Sequence, residues 1–137
     1  MAKKRPLIAI IDDDRVYHFI LSSIINKNKL ADSILSFMDG EEAIQYLTNN
    51  KTENEKIPDI VFLDMNMPIM DGWLFLEEYE RIKKDITKKT VIFMISSSVD
   101  PLDIERAGNI IEITDYIVKP IKLSEVKKIF KKYEIFS

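Results

Sequence analysis

Three short runs of the chain are continuously apolar: Leu7-Ile-Ala-Ile-Ile11, Ile60-Val-Phe-Leu63 and Val91-Ile-Phe-Met-Ile95. Unbroken apolar character over four or five residues suits strands covered on both faces, as in a parallel sheet. Ser33-Ile-Leu-Ser-Phe37 and Tyr116-Ile-Val118 are weaker strand candidates. Between the runs, apolar residues recur at helical spacing. Val16, Phe19, Ile20 and Ile24 follow the first strand, Ala43, Ile44 and Leu47 the second, and Leu74, Phe75, Tyr79 and Ile82 the third. Leu123, Val126, Phe130 and Tyr133 mark a last helix, with Lys127, Lys128, Lys131 and Lys132 on its wet side.

Capping signals support these segments. Asp39-Gly-Glu-Glu42 and Asp71-Gly72 read as helix starts, and Asp14 reads as a cap rather than a ligand. Asp100-Pro101 opens a fourth helix and Gly108-Asn109 closes it. Five strands alternating with five helices imply right-handed crossovers and a doubly wound α/β parallel sheet. Ligands of such sheets bind at the carboxyl ends of the strands.

Composition narrows the chemistry. The 137 residues fit one domain, and the formal net charge of −3 argues weakly against direct nucleic-acid binding. Cysteine is absent, which excludes disulfides, thiol catalysis and iron–sulfur clusters; His18 is the single histidine and reads as an ordinary surface or boundary residue. No apolar run is long enough for a signal peptide or membrane span, so a soluble cytoplasmic protein is the expectation. The methionines Met65, Met67 and Met70 read as packing residues, and Trp73 as core or as the rim of a site.

The strand ends carry the informative residues. The first run ends in Asp12-Asp13-Asp14, the third in Asp64, the fourth in Ser96-Ser97-Ser98 and the fifth in Lys119-Pro120. Three converging carboxylates favour a hard divalent cation, and magnesium suits a site offering one or two carboxylates. A lysine and a hydroxyl beside them suit the outer oxygens of a phosphoryl group, which an aspartate can accept as an acyl phosphate.

Ile10-Ile-Asp-Asp-Asp14, Val61-Phe-Leu-Asp-Met-Asn-Met-Pro-Ile-Met-Asp-Gly72, Ile95-Ser-Ser97 and Asp115-Tyr-Ile-Val-Lys-Pro120 together resemble the receiver domain of two-component response regulators. The resemblance runs from about Leu7 to Tyr133. It implies a flavodoxin-like receiver fold with strand order 2-1-3-4-5 over residues 7–134, between a basic tail (1–6) and a short tail (135–137). It also implies Asp64 as phosphoacceptor, with a sensor histidine kinase or a histidine phosphotransfer protein as donor. Asp13, Asp64 and the backbone carbonyl of Asn66 would bind Mg2+ directly, and Asp12 through water. Lys119, after a cis bond to Pro120, and Ser96 would contact the phosphoryl oxygens. Tyr116 would be a switch aromatic following Ser96, and Asn66 and Ser97 would tune the lifetime of the acyl phosphate.

The expected protein is therefore a stand-alone receiver that is not an enzyme in the usual sense. It would signal to a downstream protein by contacts, as a monomer or a phosphorylation-linked dimer, without touching nucleic acid or membrane. In the family those contacts use the fourth and fifth helices and the strand between them. A receiver excised from a larger hybrid kinase or transcription factor is the related alternative. A magnesium-dependent phosphohydrolase would want a second carboxylate at position 66, where asparagine stands. A flavodoxin-type electron carrier would want a glycine-rich phosphate loop, yet glycine occurs only at 40, 72 and 108. The segment from Asn109 to Thr114 lacks the Gly-Ala pair common in the family, which leaves the path there open.

Overall fold

The computed structural model describes residues 5–136, with side chains described as far as Lys132; Lys3, Lys4 and the Tyr133 side chain lie outside it. Its strands are β1 (Leu7–Ile11), β2 (Ser33–Phe37), β3 (Ile60–Asp64), β4 (Val91–Ser96) and β5 (Ile113–Val118). Its helices are α1 (Arg15–Lys27), α2 (Gly40–Asn49), α3 (Gly72–Ile82), α4 (Pro101–Gly108) and α5 (Leu123–Phe136), with short 3-10 turns at Asn54–Lys56 and Lys83–Asp85. All pairings are parallel, in the order β2-β1-β3-β4-β5.

Side chains alternate across a strand, and here the alternation builds two cores. Ile8, Ile10, Ile60, Phe62 and Phe93 face α1 and α5, meeting Leu21, Ile25, Val126 and Phe130. Ala9, Ile11, Val61, Leu63 and Met94 face α2, α3 and α4, meeting Ala43, Leu47, Phe75 and Ala107. With helices on both faces, the central strands have no polar positions until their carboxyl ends.

Two segments depart from the sequence reading. On α1 most of the expected inward stripe is outside: Val16, Phe19 and Ile20 are exposed and only Ile24 packs partly on the core, whereas Tyr17, His18, Leu21 and Ile25 are buried. Asp14 caps the helix, accepting from the N–H groups of Val16 and Tyr17, and this start directs the 17-21-25 row at the sheet. Two of the inward residues carry polar tips, so an apolar count chose the wrong stripe. Strand β5 begins at Ile113, three residues before the apolar Tyr116-Ile-Val118 segment, and its register with β4 shifts between Ile92 and Phe93. An edge strand with Thr114 and Asp115 outward carries a weak hydrophobic signal.

The helix starts follow the capping reading. Asp39, Asp71 and Asp100 accept from the backbone N–H of Glu42, Leu74 and Leu102, and Asn109 ends α4. The Asp71-Gly72 step also sets how closely α3 approaches the end of β3. The Gly72 N–H donates to the Met65 carbonyl at 2.9 Å, and a Cβ on Gly72 would stand 2.7 Å from the Asp64 carbonyl oxygen. That is overpacking against backbone, which cannot swing aside. Gly72→Ala is expected to destabilise the fold by about 2 kcal/mol in urea unfolding. A variant as stable as the parent would show that α3 can retreat freely.

Candidate functional site

The carboxyl ends of β1, β3, β4 and β5 bring the sequence-identified residues together. Asp12 follows the last residue of β1, Asp64 ends β3, Ser96 ends β4 and Lys119 follows β5. Asp12, Asp13 and Asp64 each offer an oxygen within 4.8 Å of the others, with Asp12 and Asp64 buried and Asp13 exposed. The Lys119 ammonium lies 2.9 Å from Asp12 Oδ2 and 3.3 Å from Asp64 Oδ1, and the Lys119–Pro120 bond is cis. Asn66 is exposed and lines an open cleft with Asp13, Met67, Pro68 and Asp71. The donor set is all oxygen, acidic and open on one side. It fits a hard divalent cation such as magnesium and does not fit a soft metal.

The electrostatics are those of a crowded acidic site. Burial pushes the Asp64 carboxyl up to about 6 from 3.8, and Asp12 adds to the rise while Lys119 opposes it. For Lys119, burial pulls the pKa down, but the bond to Asp12 and the field of Asp64 outweigh it, and the net shift is upward. The ammonium is thus firmly charged and holds two carboxylates that would otherwise repel.

Ser96 is fully buried, and its Oγ accepts the Ser98 N–H at 3.0 Å instead of touching Asp64. Tyr116 is half-buried against the α2–α3–α4 core, and its hydroxyl donates to the Ser98 carbonyl at 2.9 Å. Ser98 also donates from its own hydroxyl to Asp103 on α4 at 2.7 Å. Ser96 and Tyr116 are therefore linked through Ser98, a residue the sequence reading passed over; a serine in a run of three carries no periodic signal. Ser97 is exposed beside them.

Sequence reasoning also missed α1. His18, expected at the surface or boundary, is buried, with Nε2 2.7 Å from the Asp12 carbonyl oxygen. Tyr17 is buried with its ring 4.3 Å beneath the Lys119 ammonium. Trp73 is half-buried away from the acidic cleft, packed on the α2–α3–α4 core, with the Arg106 guanidinium 4.2 Å over its ring. In the β3–α3 loop Ile69 is exposed at φ 67, a conformation that a β-branched residue adopts only under strain.

The raised Asp64 pKa has a consequence for stability. The folded chain holds this proton to a higher pH than the unfolded chain does. Stability contributed by the group is therefore present below about pH 4 and lost as pH rises through about 6. In metal-free buffer, Asp64→Asn is expected to be more stable than the parent at about pH 8, by on the order of 1–3 kcal/mol, with the gap closing near about pH 4. A gap independent of pH would show that Asp64 is not under charge stress.

Comparison with known proteins agrees with this arrangement. Residues 8–131 match the family described as response regulator receiver domain. Over 131 residues the chain is 32% identical to hybrid signal transduction histidine kinase L of Dictyostelium discoideum, covering 92% of this chain but only 7% of that protein's length. The two component response regulator from Cytophaga hutchinsonii is similar in structure, with TM-score 0.87 and 26% identity, covering 97% of this chain and 99% of that one. The CheX-CheY-BeF3-Mg+2 complex from Borrelia burgdorferi gives TM-score 0.76 and 26% identity, covering 96% and 89% of the two chains. With the parallel 2-1-3-4-5 sheet and an acidic cluster at its carboxyl edge, the chain belongs to the receiver-domain family of two-component response regulators.

Proposed function

We propose that this chain is a phosphorylation-operated switch in which Asp64 accepts a phosphoryl group, with magnesium, from a phosphohistidine on a sensor histidine kinase or histidine phosphotransfer protein. The observation that carries the reading is the Lys119 ammonium shared between two buried carboxylates, with Asp13 exposed at the mouth. A carboxylate oxygen of Asp64 attacks phosphorus, the phosphorus–nitrogen bond breaks, and the donor imidazole leaves with the bond's electron pair. Magnesium, held by Asp13, Asp64 and the Asn66 carbonyl with Asp12 beyond, would neutralise charge on the transferring group. The similar Borrelia complex is described with both magnesium and BeF3, a mimic of a phosphoryl group, which supports the same pairing here.

Lys119 is already beside Asp64 and can follow the new negative charge. Ser96 can give its hydroxyl hydrogen to a phosphoryl oxygen, and a movement of its Oγ toward that oxygen would release the Ser98 N–H that it now accepts. That release loosens the loop whose carbonyl holds Tyr116 and whose hydroxyl holds Asp103 at the first turn of α4. The surface around α4 and β5 then differs between the two states, and a downstream protein can read it. Asn66 and Ser97, both exposed just past the carboxyl ends of β3 and β4, are the side chains through which the acyl-phosphate lifetime would be tuned.

Incubation with acetyl phosphate and magnesium is expected to add one base-labile phosphoryl group, and none in chelator or in Asp64→Asn. Ser96→Ala is expected to accept the group, since nucleophile and carboxylates are untouched, but to show much smaller beryllofluoride-induced amide shifts over residues 97–118. Modification of Asp64→Asn would contradict the acceptor assignment. Parent-like shifts in Ser96→Ala would contradict the coupling.

A further inference from the structure

Among the described residues, two buried side-chain atoms lack a hydrogen-bond partner, the Tyr17 hydroxyl and His18 Nδ1, and both belong to the start of α1 beside the acidic site. A buried ring nitrogen without a partner is unfavourable. A leucine would fill the same space without that penalty, so the other nitrogen deserves an account.

His18 Nε2 lies 2.7 Å from the carbonyl oxygen of Asp12. A carbonyl only accepts, so in this bond Nε2 carries the hydrogen and donates it. That carbonyl belongs to the peptide unit joining Asp12 to Asp13. The unit is planar, so fixing its oxygen fixes the direction in which the chain presents Asp13.

The other anchors of Asp12 differ in kind. Its N–H donates to the Phe37 carbonyl at 3.1 Å, on the near side of that peptide unit. Its Oδ1 accepts the Asp14 N–H at 2.9 Å, within the same loop. Its Oδ2 accepts from Lys119, which Asp64 also attracts. Among the described residues, His18 is the side chain that ties the Asp12–Asp13 peptide oxygen to a packed helix.

We infer that His18 is a positioning residue for the acidic site: its Nε2–H holds the peptide between Asp12 and Asp13 in the orientation that presents Asp13 to a divalent cation. It acts through that peptide and touches no reacting atom. The inference rests on the magnesium reading of the site.

Magnesium affinity of the full chain, followed by calorimetry, tests it with two variants. His18→Leu removes the donor, and His18→Gln keeps an amide N–H at similar reach. The leucine variant is expected to bind magnesium about tenfold more weakly, and the glutamine variant within about twofold of the parent. Parent-like affinity in His18→Leu, or an equal loss in both variants, would overturn the assignment. Absence of magnesium binding by the parent protein would overturn the cation reading instead. A readout free of metal stands beside these: nitrogen-15 NMR of the parent in chelator is expected to show a slowly exchanging hydrogen on His18 Nε2. Absence of a hydrogen on Nε2, or its rapid exchange, would overturn the assignment even if His18→Leu fails to fold.

Discussion

Three carboxylates within 4.8 Å of one another, two of them buried, are the constraint on which the rest of this structure turns. Like charges at that range repel, and burial sharpens the repulsion. Lys119 answers part of it by standing between Asp12 and Asp64, but burial first, and Asp12 after it, still push the Asp64 carboxyl up to about 6. The site is therefore satisfied incompletely by its own side chains, which is the condition under which added positive charge binds.

The fold tolerates the crowding because its cost falls at one edge. Strands β1, β3 and β4 are buried along their length and become polar only where their carboxyl ends emerge together. Small devices then hold the edge in shape. Gly72 lets α3 touch the backbone of Asp64, Asp14 starts α1, and Tyr17 and His18 reach from that helix to Lys119 and Asp12. On the other side Ser98 joins Ser96 and Tyr116 to the short helix α4 through neutral hydrogen bonds and one to Asp103. Bonds of that kind contribute about 1 kcal/mol each, or somewhat more to a charged partner, small enough for a new phosphoryl charge to redistribute.

Much of this was legible in the chain because the strongest physical signals are also the most local. Continuous apolar runs found β1, β3 and β4 nearly to the residue, since burial on both faces leaves no polar positions within them. Aspartate caps located the helix starts, since one side chain must meet a nearby N–H. The strand-end rule then gathered Asp12, Asp64, Ser96 and Lys119 without any knowledge of contacts. Helix α1 was read largely wrong side in, because Tyr17 and His18 carry polar tips yet are buried, while Val16, Phe19 and Ile20 are apolar yet exposed; Ile24 alone of the expected stripe packs on the core. The start of β5 was missed because an edge strand can carry Thr114 and Asp115 outward. The part of Ser98 was hidden for a third reason: half of its bonds are made by backbone groups, which every residue has, and its hydroxyl is one of three in a row.

The claim that carboxylate crowding is real, and is relieved by a cation, is open to one direct measurement. Carbon-13 NMR of the Asp64 carboxyl can be followed against pH in chelator and again with saturating magnesium. The account predicts a midpoint at about 6 without the metal and a clearly lower one with it. A midpoint in the ordinary carboxylate range in both conditions would mean that neither burial nor the neighbouring aspartates stress Asp64, and the reading of the site built on that stress would fall.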